Sequence, residues 1–447
     1  MKWFKKSTAI VMTALLGLSM TACGNSSKST DASSTGKGGS SNNGQKIELD
    51  FWSFWGSSTR RPIVQKMVDD FNKSQNKIHV KYTYLPWGDI WTKELASVAA
   101  GDPPDVVIND INSVQQRAQK NQNMDLAPFM KNDPNLKDQY FPQLWKTVLY
   151  KGDPYAIPFN TDTRILFYNK DLFKEAGLDP NKPPATWDEL EADAQKIDKK
   201  VGGKYTRIGF LPRYGIGADV WIDNATGVGY WDFQNNKPVI NSPKAVQALT
   251  WIKNYEGHYG SKVINTFQSQ FGSQQADPFI SGKLGMEINA ATFYTQIRDY
   301  GKNMNFGVAP MPEMTPGNGT TSWGGGFVAE VPKGAKHPEA SYEFIKFLTS
   351  AKEQQYWAVK NFDNVANIQG AKDASSDPAL SGKAQEVYKL AVDNLKSTIL
   401  TPTPLQAPDY TNLVNPQTDK VMLGQKSPQQ ALDDAQKAVE KLVNSNK

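Results

Sequence analysis

The residues whose chemistry stands out are aromatic rings beside loops and carboxylates at strand ends. The chain has 12 Trp and 17 Tyr among 447 residues. An indole or phenol ring is an apolar plate with a polar edge. It complements a ligand that has a C–H face and a rim of hydroxyls, as a sugar has, while carboxylate, amide or guanidinium groups serve the rim. Trp55, in Phe54-Trp55-Gly56-Ser57 after a strand-like run, suits such stacking, and its other reading is a core aromatic. Gly56 and Ser57 stand just before a helix, where backbone N–H groups and the positive dipole end favour oxygen acceptors. Trp87 follows Pro86 in a loop and reads equally as a site rim or as packing. Trp221 and the pair Tyr230-Trp231 lie in a Gly-rich stretch, where one of the three is expected to stack on ligand. Trp323 precedes Gly324-Gly325-Gly326. These glycines permit close backbone approach while Trp323 supplies a plate; its other reading is a packing residue. Tyr410 is a candidate in the late segment 405–415. Asp110 follows the apolar run Val106-Val107-Ile108, and ligands of open α/β sheets bind beyond the carboxyl ends of strands.

Catalytic chemistry finds less support. A single cysteine excludes an internal disulfide and multi-Cys metal sites, and three histidines leave little for metal ligation. No cofactor is expected. Gly-x-Ser-x-Gly, His-Glu-x-x-His and Walker-A patterns are missing from the sequence, and Gly324-Gly325-Gly326 lacks the Lys-Ser/Thr of a phosphate loop. The pairs Asp69-Asp70 and Asp188-Glu189 fall on helices and read as solvated faces. Counting carboxylates leaves open a surface glycoside hydrolase with a pair about 5 to 9 Å apart. The net charge of +5 falls to +2 once Lys2, Lys5 and Lys6 are set aside, leaving 47 bases against 45 acids. A balance of that kind gives no argument for nucleic acid.

Those three lysines precede a largely apolar stretch at residues 9–18, about half of the roughly 20 residues that span a bilayer, so it reads as a secretory leader. Met20-Thr21-Ala22-Cys23-Gly24 then resembles a bacterial lipobox, with Met20 in place of the usual Leu. Residues 1–22 are read as a lipoprotein signal peptide. Cys23 becomes the lipidated N-terminus, carrying a diacylglycerol anchor and palmitate. The other reading is an ordinary secretory signal with a chance cysteine. Residues 23–45, almost wholly Ser, Gly, Asn, Thr and Lys after the cysteine, form a flexible linker. Its mean reach of roughly 25 Å holds a folded body just off the outer face of the cell membrane.

The elements that must position the candidates alternate between strands and helices. Residues 47–52 alternate, with Trp52 read as core, and residues 78–84 alternate strictly. Between them Ile63, Met67, Val68 and Phe71 form a helical stripe behind Gly56-Ser57-Ser58-Thr59 and Pro62. Thr186 with Glu189 makes a capping box at a structural Trp187, and Ser242-Pro243 and Ser427-Pro428 open two further helices. Strand-like runs recur at 164–168, 284–288, 306–309 and 326–331. The pattern predicts an α/β protein with parallel-rich sheets.

Four motif groups carry a resemblance. They are Ala100-Gly101-Asp102-Pro103-Pro104-Asp105-Val106-Val107; Tyr155-Ala156-Ile157-Pro158-Phe159-Asn160-Thr161-Asp162-Thr163 with Leu166-Phe167-Tyr168-Asn169-Lys170-Asp171-Leu172-Phe173 and the Trp187 helix start; Pro278-Phe279-Ile280-Ser281-Gly282-Lys283-Leu284-Gly285-Met286; and Val331-Pro332-Lys333-Gly334-Ala335 with residues 340–348. In this order and spacing they resemble the family 1 extracellular solute-binding proteins of ABC importers, the group containing maltose-binding protein. The resemblance implies a type II periplasmic-binding-protein fold: two lobes, each a mixed or parallel sheet flanked by helices, closing on ligand about a hinge. The hinge would be crossed near residues 159–163, 323–328 and 370–380. One lobe would then hold residues 46–160 and 328–375, the other 161–327 and 376–447. It also implies an acidic ligand contact at Asp162 and ligand positions at Asn289, Thr292 and Tyr294. The maltose binder has tryptophan where Thr292 stands, so contacts there must differ. The implied protein is a monomeric, lipid-anchored receptor that captures a carbohydrate, an oligosaccharide by preference, and hands it to an ABC permease. A glycerophosphodiester or other polar metabolite is the alternative ligand.

Overall fold

The computed structural model describes residues 46–446. The stretch read as a signal peptide, Cys23, and the stretch read as a linker through residue 45 fall outside the described residues. The first alternating run becomes the strand Ile47–Ser53, with Leu49, Phe51 and Ser53 buried. Trp52 is not core: it lies on the opposite, half-buried face and donates its indole N–H to Asp50 Oδ2 at 2.6 Å. The helical stripe forms Arg60–Ser74, burying Val64, Met67, Val68 and Phe71. Side chains cap the helices where hydroxyl residues stand ahead of them. Thr186 accepts from Glu189 N–H, Ser242 from Ala245 N–H and Ser427 from Gln430 N–H.

The larger sheet has six strands in the order Ile78–Tyr84, Ile47–Ser53, Val106–Asp110, Gly326–Glu330, Ile157–Thr161 and Asn364–Val365. The first three run parallel and the remaining pairings are antiparallel. The second sheet sets Arg164–Asn169 between Met286–Ala290 and Phe306–Pro310, both antiparallel to it. Parallel-rich pairing therefore holds only for one edge of the first sheet. The cause is the path of the chain: it leaves the first sheet along Ile157–Thr161 and comes back along Gly326–Glu330, so the two runs oppose each other.

Three stretches pass between the two bodies. Residues 162–163 link the strands Ile157–Thr161 and Arg164–Asn169, and residues 324–325 link Ser322–Trp323 to Gly326–Glu330. Residues 376–382 link the helix Ile368–Ser375, packed on Ala351–Asn361, to Lys383–Asn394, packed on Phe306–Pro310. The first two crossings are bonded to each other: the Thr161 hydroxyl donates to Gly325 O at 2.8 Å and Gly325 N–H donates to Asp162 Oδ1 at 2.7 Å. Thr163 in addition shares a 2.6 Å hydroxyl bond with Thr398, whose strand Thr398–Ile399 pairs with Ser322–Trp323. A Cβ on Gly324 would sit 2.1 Å from Asp162 O, so the chains approach this closely only because the residue is glycine.

Candidate functional site

The carboxyl ends of the first sheet's strands bring an aromatic patch and a carboxylate together. Past Ser53 the inward–outward alternation continues: Trp55 turns in and Phe54 turns out. Phe54 meets Trp87 at 4.7 Å and Phe327 at 4.7 Å between ring centroids, and Trp87 meets Trp91 at 4.7 Å. Trp87 is 60% exposed, so most of this ring faces solvent. Phe327 is the register partner of Asp110 across the antiparallel pair, which puts the patch beside that carboxylate. Asp110 Oδ1 accepts from Asn112 N–H at 2.9 Å and so caps the turn of residues 111–113. Burial holds its carboxyl above the ordinary aspartate range.

A buried ionic network fixes this edge from below. Arg117 donates from Nε to Glu330 Oε2 at 2.9 Å, from Nη2 to Glu330 Oε1 at 2.5 Å and to Asp110 O at 3.0 Å, and from Nη1 to Ser113 Oγ. Asn109 joins Glu94 at 2.8 Å and Glu330 at 3.2 Å while accepting from Asp110 N–H. One guanidinium faces two carboxyl groups here. Burial first, and the neighbouring Glu330 second, push Glu94 up to about 8, so it is held as the neutral acid at neutral pH. A side chain that bonds two strands and the loop above them keeps Asp110 and Phe327 in one rigid arrangement.

Several expected contacts lie elsewhere. Trp55 is 1% exposed, its ring 4.8 Å from Phe159 and 4.3 Å from Trp357, so it is a core residue with no face for a ligand. Trp221 is likewise buried among Trp187 and Trp251 and donates to Pro212 O at 2.7 Å. Trp231 is buried against Tyr410. Of the trio it is Tyr230 that reaches a cavity, together with Tyr410, Thr401 and Thr403. Gly56 serves packing, because a Cβ there would fall 2.1 Å from the Tyr84 ring. Ser57 Oγ accepts from Arg60 N–H at 3.1 Å and so works as a helix cap.

The hinge candidates are engaged by protein groups. Asp162 accepts from Gly325 N–H and lies 3.0 Å from Arg164 Nη1. The Arg164 guanidinium covers one face of Trp323 at 4.7 Å, and the Trp323 indole N–H donates to Thr401 Oγ1 at 3.1 Å. One face of that plate is thus taken. Gly325 is half-buried beside Asp162, and Gly324 is buried by the crossing itself. Asn289 donates to Glu287 Oε1 at 2.6 Å and accepts from Ala290 N–H, Thr292 is half-buried, and Tyr294 packs on Phe362 at 4.7 Å. Sequence reading missed Phe54, Trp91 and Phe327. Phe54 was legible, since a period of two carried past residue 53 turns it outward.

The two bodies meet where Thr403 N–H donates to Asn112 O at 2.8 Å, two residues from Asp110. A carboxylate and a ring patch on one body and a polar cavity on the other, with three stretches of chain joining the two, suit a solute-binding protein of the two-lobe class. The sequence profile of the bacterial extracellular solute-binding proteins matches residues 55–355, and the chain belongs to that family. It is similar to CpMnBP1, solved with mannotriose bound, at 28% identity and a TM-score of 0.74 over 88% of this chain and 100% of that one. The arabinooligosaccharide-binding protein of Bacillus subtilis is 24% identical over 379 residues, 80% of each chain. The sn-glycerol-3-phosphate-binding periplasmic protein of Pectobacterium atrosepticum is 24% identical over 405 residues, 83% of this chain and 86% of that one. Among the described residues no helix is long and apolar enough to cross a membrane.

Proposed function

We propose that the protein is the lipid-anchored receptor of an ABC importer and that it captures an oligosaccharide between its lobes. The lobes are taken as residues 46–161 with 326–375 and 162–325 with 376–447, a correction of the sequence-based bounds by one or two residues, because Ile157–Thr161 and Gly326–Glu330 are both strands of the first sheet. The observation that carries the reading is the patch of Phe54, Trp87, Trp91 and Phe327 beside Asp110, which offers an apolar plate next to a hydroxyl acceptor. The relatives that carry sugars in their names support it. Ligand bonded to both lobes stabilises the closed form by its differential affinity for that form, and the closed receptor passes its cargo to the permease. Cys23 is the proposed site of lipidation, and the protein binds its ligand without altering it.

The phosphodiester alternative needs free cations near the candidate loops. Arg213 is held by Glu256 through bonds of 2.9 and 2.5 Å, Arg60 lies 3.8 Å from Asp363, and Arg164 is paired with Asp162, while Arg61, beside Arg60, is exposed and is the one of these guanidinium groups without a carboxylate partner among the described residues. These partners favour a neutral ligand. The test is calorimetry of the purified protein with mannotriose, maltotriose and arabinotriose, followed by product analysis of the same mixtures. Stoichiometric binding with intact sugar is expected. Turnover would instead establish a hydrolase, and binding of glycerol 3-phosphate with no sugar bound would establish the alternative ligand.

A further inference from the structure

A second group of rings lies on the far side of the waist from the aromatic patch. In the first sheet, the strands that lead to Phe54 and Asp110 lie to one side of Gly326–Glu330 and Ile157–Thr161, the two strands that enter the crossings. Asn364–Val365 lies to the other side. Asn364 pairs with Thr161, so the turn just before it stands at the end of the sheet that faces the second body. Phe362 is in that turn. It is 2% exposed, and its ring meets Tyr294 at 4.7 Å and Tyr388 at 5.6 Å between centroids. Tyr294 opens the helix Tyr294–Tyr300 and Tyr388 lies in Lys383–Asn394, both in the second body. A ring of one lobe is thus seated against two rings of the other. Beside it the Tyr388 hydroxyl donates to Asp363 O at 3.2 Å.

The backbone at Phe362 carries the mark of this contact. The residue ends the helix Ala351–Asn361 at φ 58° and ψ 34°, in the left-handed region, with its N–H donating to Ala358 O. Such a position at a helix end ordinarily belongs to glycine, because a Cβ there is crowded by the backbone. A bulky aromatic persists in it only where the surroundings over-determine it, and here those surroundings include the two tyrosines. On either side, the side-chain amide nitrogens of Asn361 and Asn364 are buried with no partner among the described residues. Drawing Phe362 out wets these amides and so offsets part of the lost ring contact. The sheet supplies the lever. Neighbouring strands stand about 4.8 Å apart, so Phe362 lies about one strand beyond the waist on its side and Asp110 about one strand beyond it on the other. Rotation about the waist that narrows the patch side therefore widens the Phe362 side by a similar distance. Trp87 is 60% exposed and Phe362 2%, so in this arrangement the patch is uncovered and the far side is shut.

We propose that Phe362 sets the receptor's affinity without touching its ligand: seated against Tyr294 and Tyr388, it holds the lobes apart over the patch, and closure on the ligand draws it out. The ligand must then supply the free energy of that withdrawal. Its apparent affinity is the intrinsic one scaled by the fraction of free receptor already closed, and Phe362 keeps that fraction small. Tyr294, a ligand position by resemblance, serves instead as part of the seat. The role of Phe362 rests on the reading of the protein as a receptor that closes on an oligosaccharide.

Phe362→Gly tests it, because the change removes the ring and leaves a residue that the left-handed backbone suits. Calorimetry with the neutral trisaccharides named above is expected to show about tenfold tighter binding than wild type, as follows when about 1.4 kcal/mol ceases to favour the open form. Small-angle X-ray scattering of the unliganded variant is expected to give a smaller radius of gyration, because more of it is closed. Affinity that is unchanged or weaker in the folded variant, or an unliganded scattering profile that superimposes on that of wild type, would overturn the role of Phe362 and leave the sugar reading standing. If Phe362→Gly does not fold, Tyr388→Leu empties one side of the seat without altering the left-handed turn, and the same two measurements decide with the same outcomes. If no neutral sugar binds wild type, the oligosaccharide reading falls, and the scattering comparison alone decides whether Phe362 holds the lobes apart.

Discussion

Replacing Trp87 by alanine separates a ligand plate from a packing residue. A tryptophan side chain offers roughly 200 Å² of surface. With 60% of it exposed, about 120 Å² is free, of which a sugar lying on one face would cover about half. At about 25 cal/mol per Å² that contact contributes about 1.5 kcal/mol, close to a tenfold change in Kd. The part of Trp87 already buried against Phe54 and Trp91 contributes to folding instead, through edge contacts of about 1 kcal/mol each. Trp87→Ala should accordingly lose about tenfold in affinity by calorimetry and unfold a few degrees lower. Trp55→Ala, by contrast, hollows a core and should cost about 3 to 5 kcal/mol of stability. A Trp87→Ala protein that binds the wild-type ligand within twofold would refute the stacking argument, because the area on which it rests would then not be covered by ligand.

Two further outcomes follow from buried groups. Glu94 is held protonated in the folded protein up to about 8, whereas the unfolded chain titrates it near its ordinary value of 4.5. Between these values the native state binds one more proton than the unfolded state, so this residue lowers stability as pH rises, by roughly 1 kcal/mol per pH unit. Glu94→Gln keeps an acceptor for Asn109 and should flatten that loss, as urea unfolding at pH 5 and pH 8 would read; equal slopes in the two proteins would discard the assignment. Gly324→Ala drives a methyl against Asp162 O, a backbone atom, and against Thr398. It should lower stability by about 1 to 3 kcal/mol and shift ligand affinity as well, because the strained contact lies in the waist. A variant matching wild type in both melting temperature and Kd would show that the crossings relax freely.

The elements were largely legible because each obeys a local rule. Alternation places Ile47–Ser53, the stripe of Met67, Val68 and Phe71 places the first helix, and Thr186, Ser242 and Ser427 cap helices as their types predict. What escaped depends on contacts distant in sequence. The direction of Gly326–Glu330 depends on where the chain re-enters the sheet, so the parallel-rich expectation failed there. Tryptophan type alone does not tell a plate from a core ring. Trp55, Trp221 and Trp231 are all amphipathic, yet each is enclosed by partners such as Trp357, Trp251 and Tyr410 that lie 30 or more residues along the chain. The acids divided in the same way. Asp162 stands where the family resemblance puts a ligand contact but spends its oxygens on Gly325 and Arg164.

Under the proposed function, the division of labour between the two bodies couples closure to recognition. On the first body, Arg117 and Glu330 lock Val106–Asp110 to Gly326–Glu330, so Asp110, Phe327 and the rings around Trp87 move as a unit. On the second, Asp219 and Asp223 ride on one helix, and Tyr230 follows it by a few residues. Between them the first two crossings are joined by the Thr161 hydroxyl on Gly325 O and by Gly325 N–H on Asp162, hydrogen bonds that each contribute about 1 kcal/mol. Rigid bodies joined by weak links make bending cheap and deformation within a lobe costly. A ligand stacked on Trp87 alone would bind either arrangement equally and shift nothing. One that also reaches the polar cavity of the second body favours the arrangement in which both sets of contacts form, and under the proposed function that added affinity is the free energy available to hold the lobes closed.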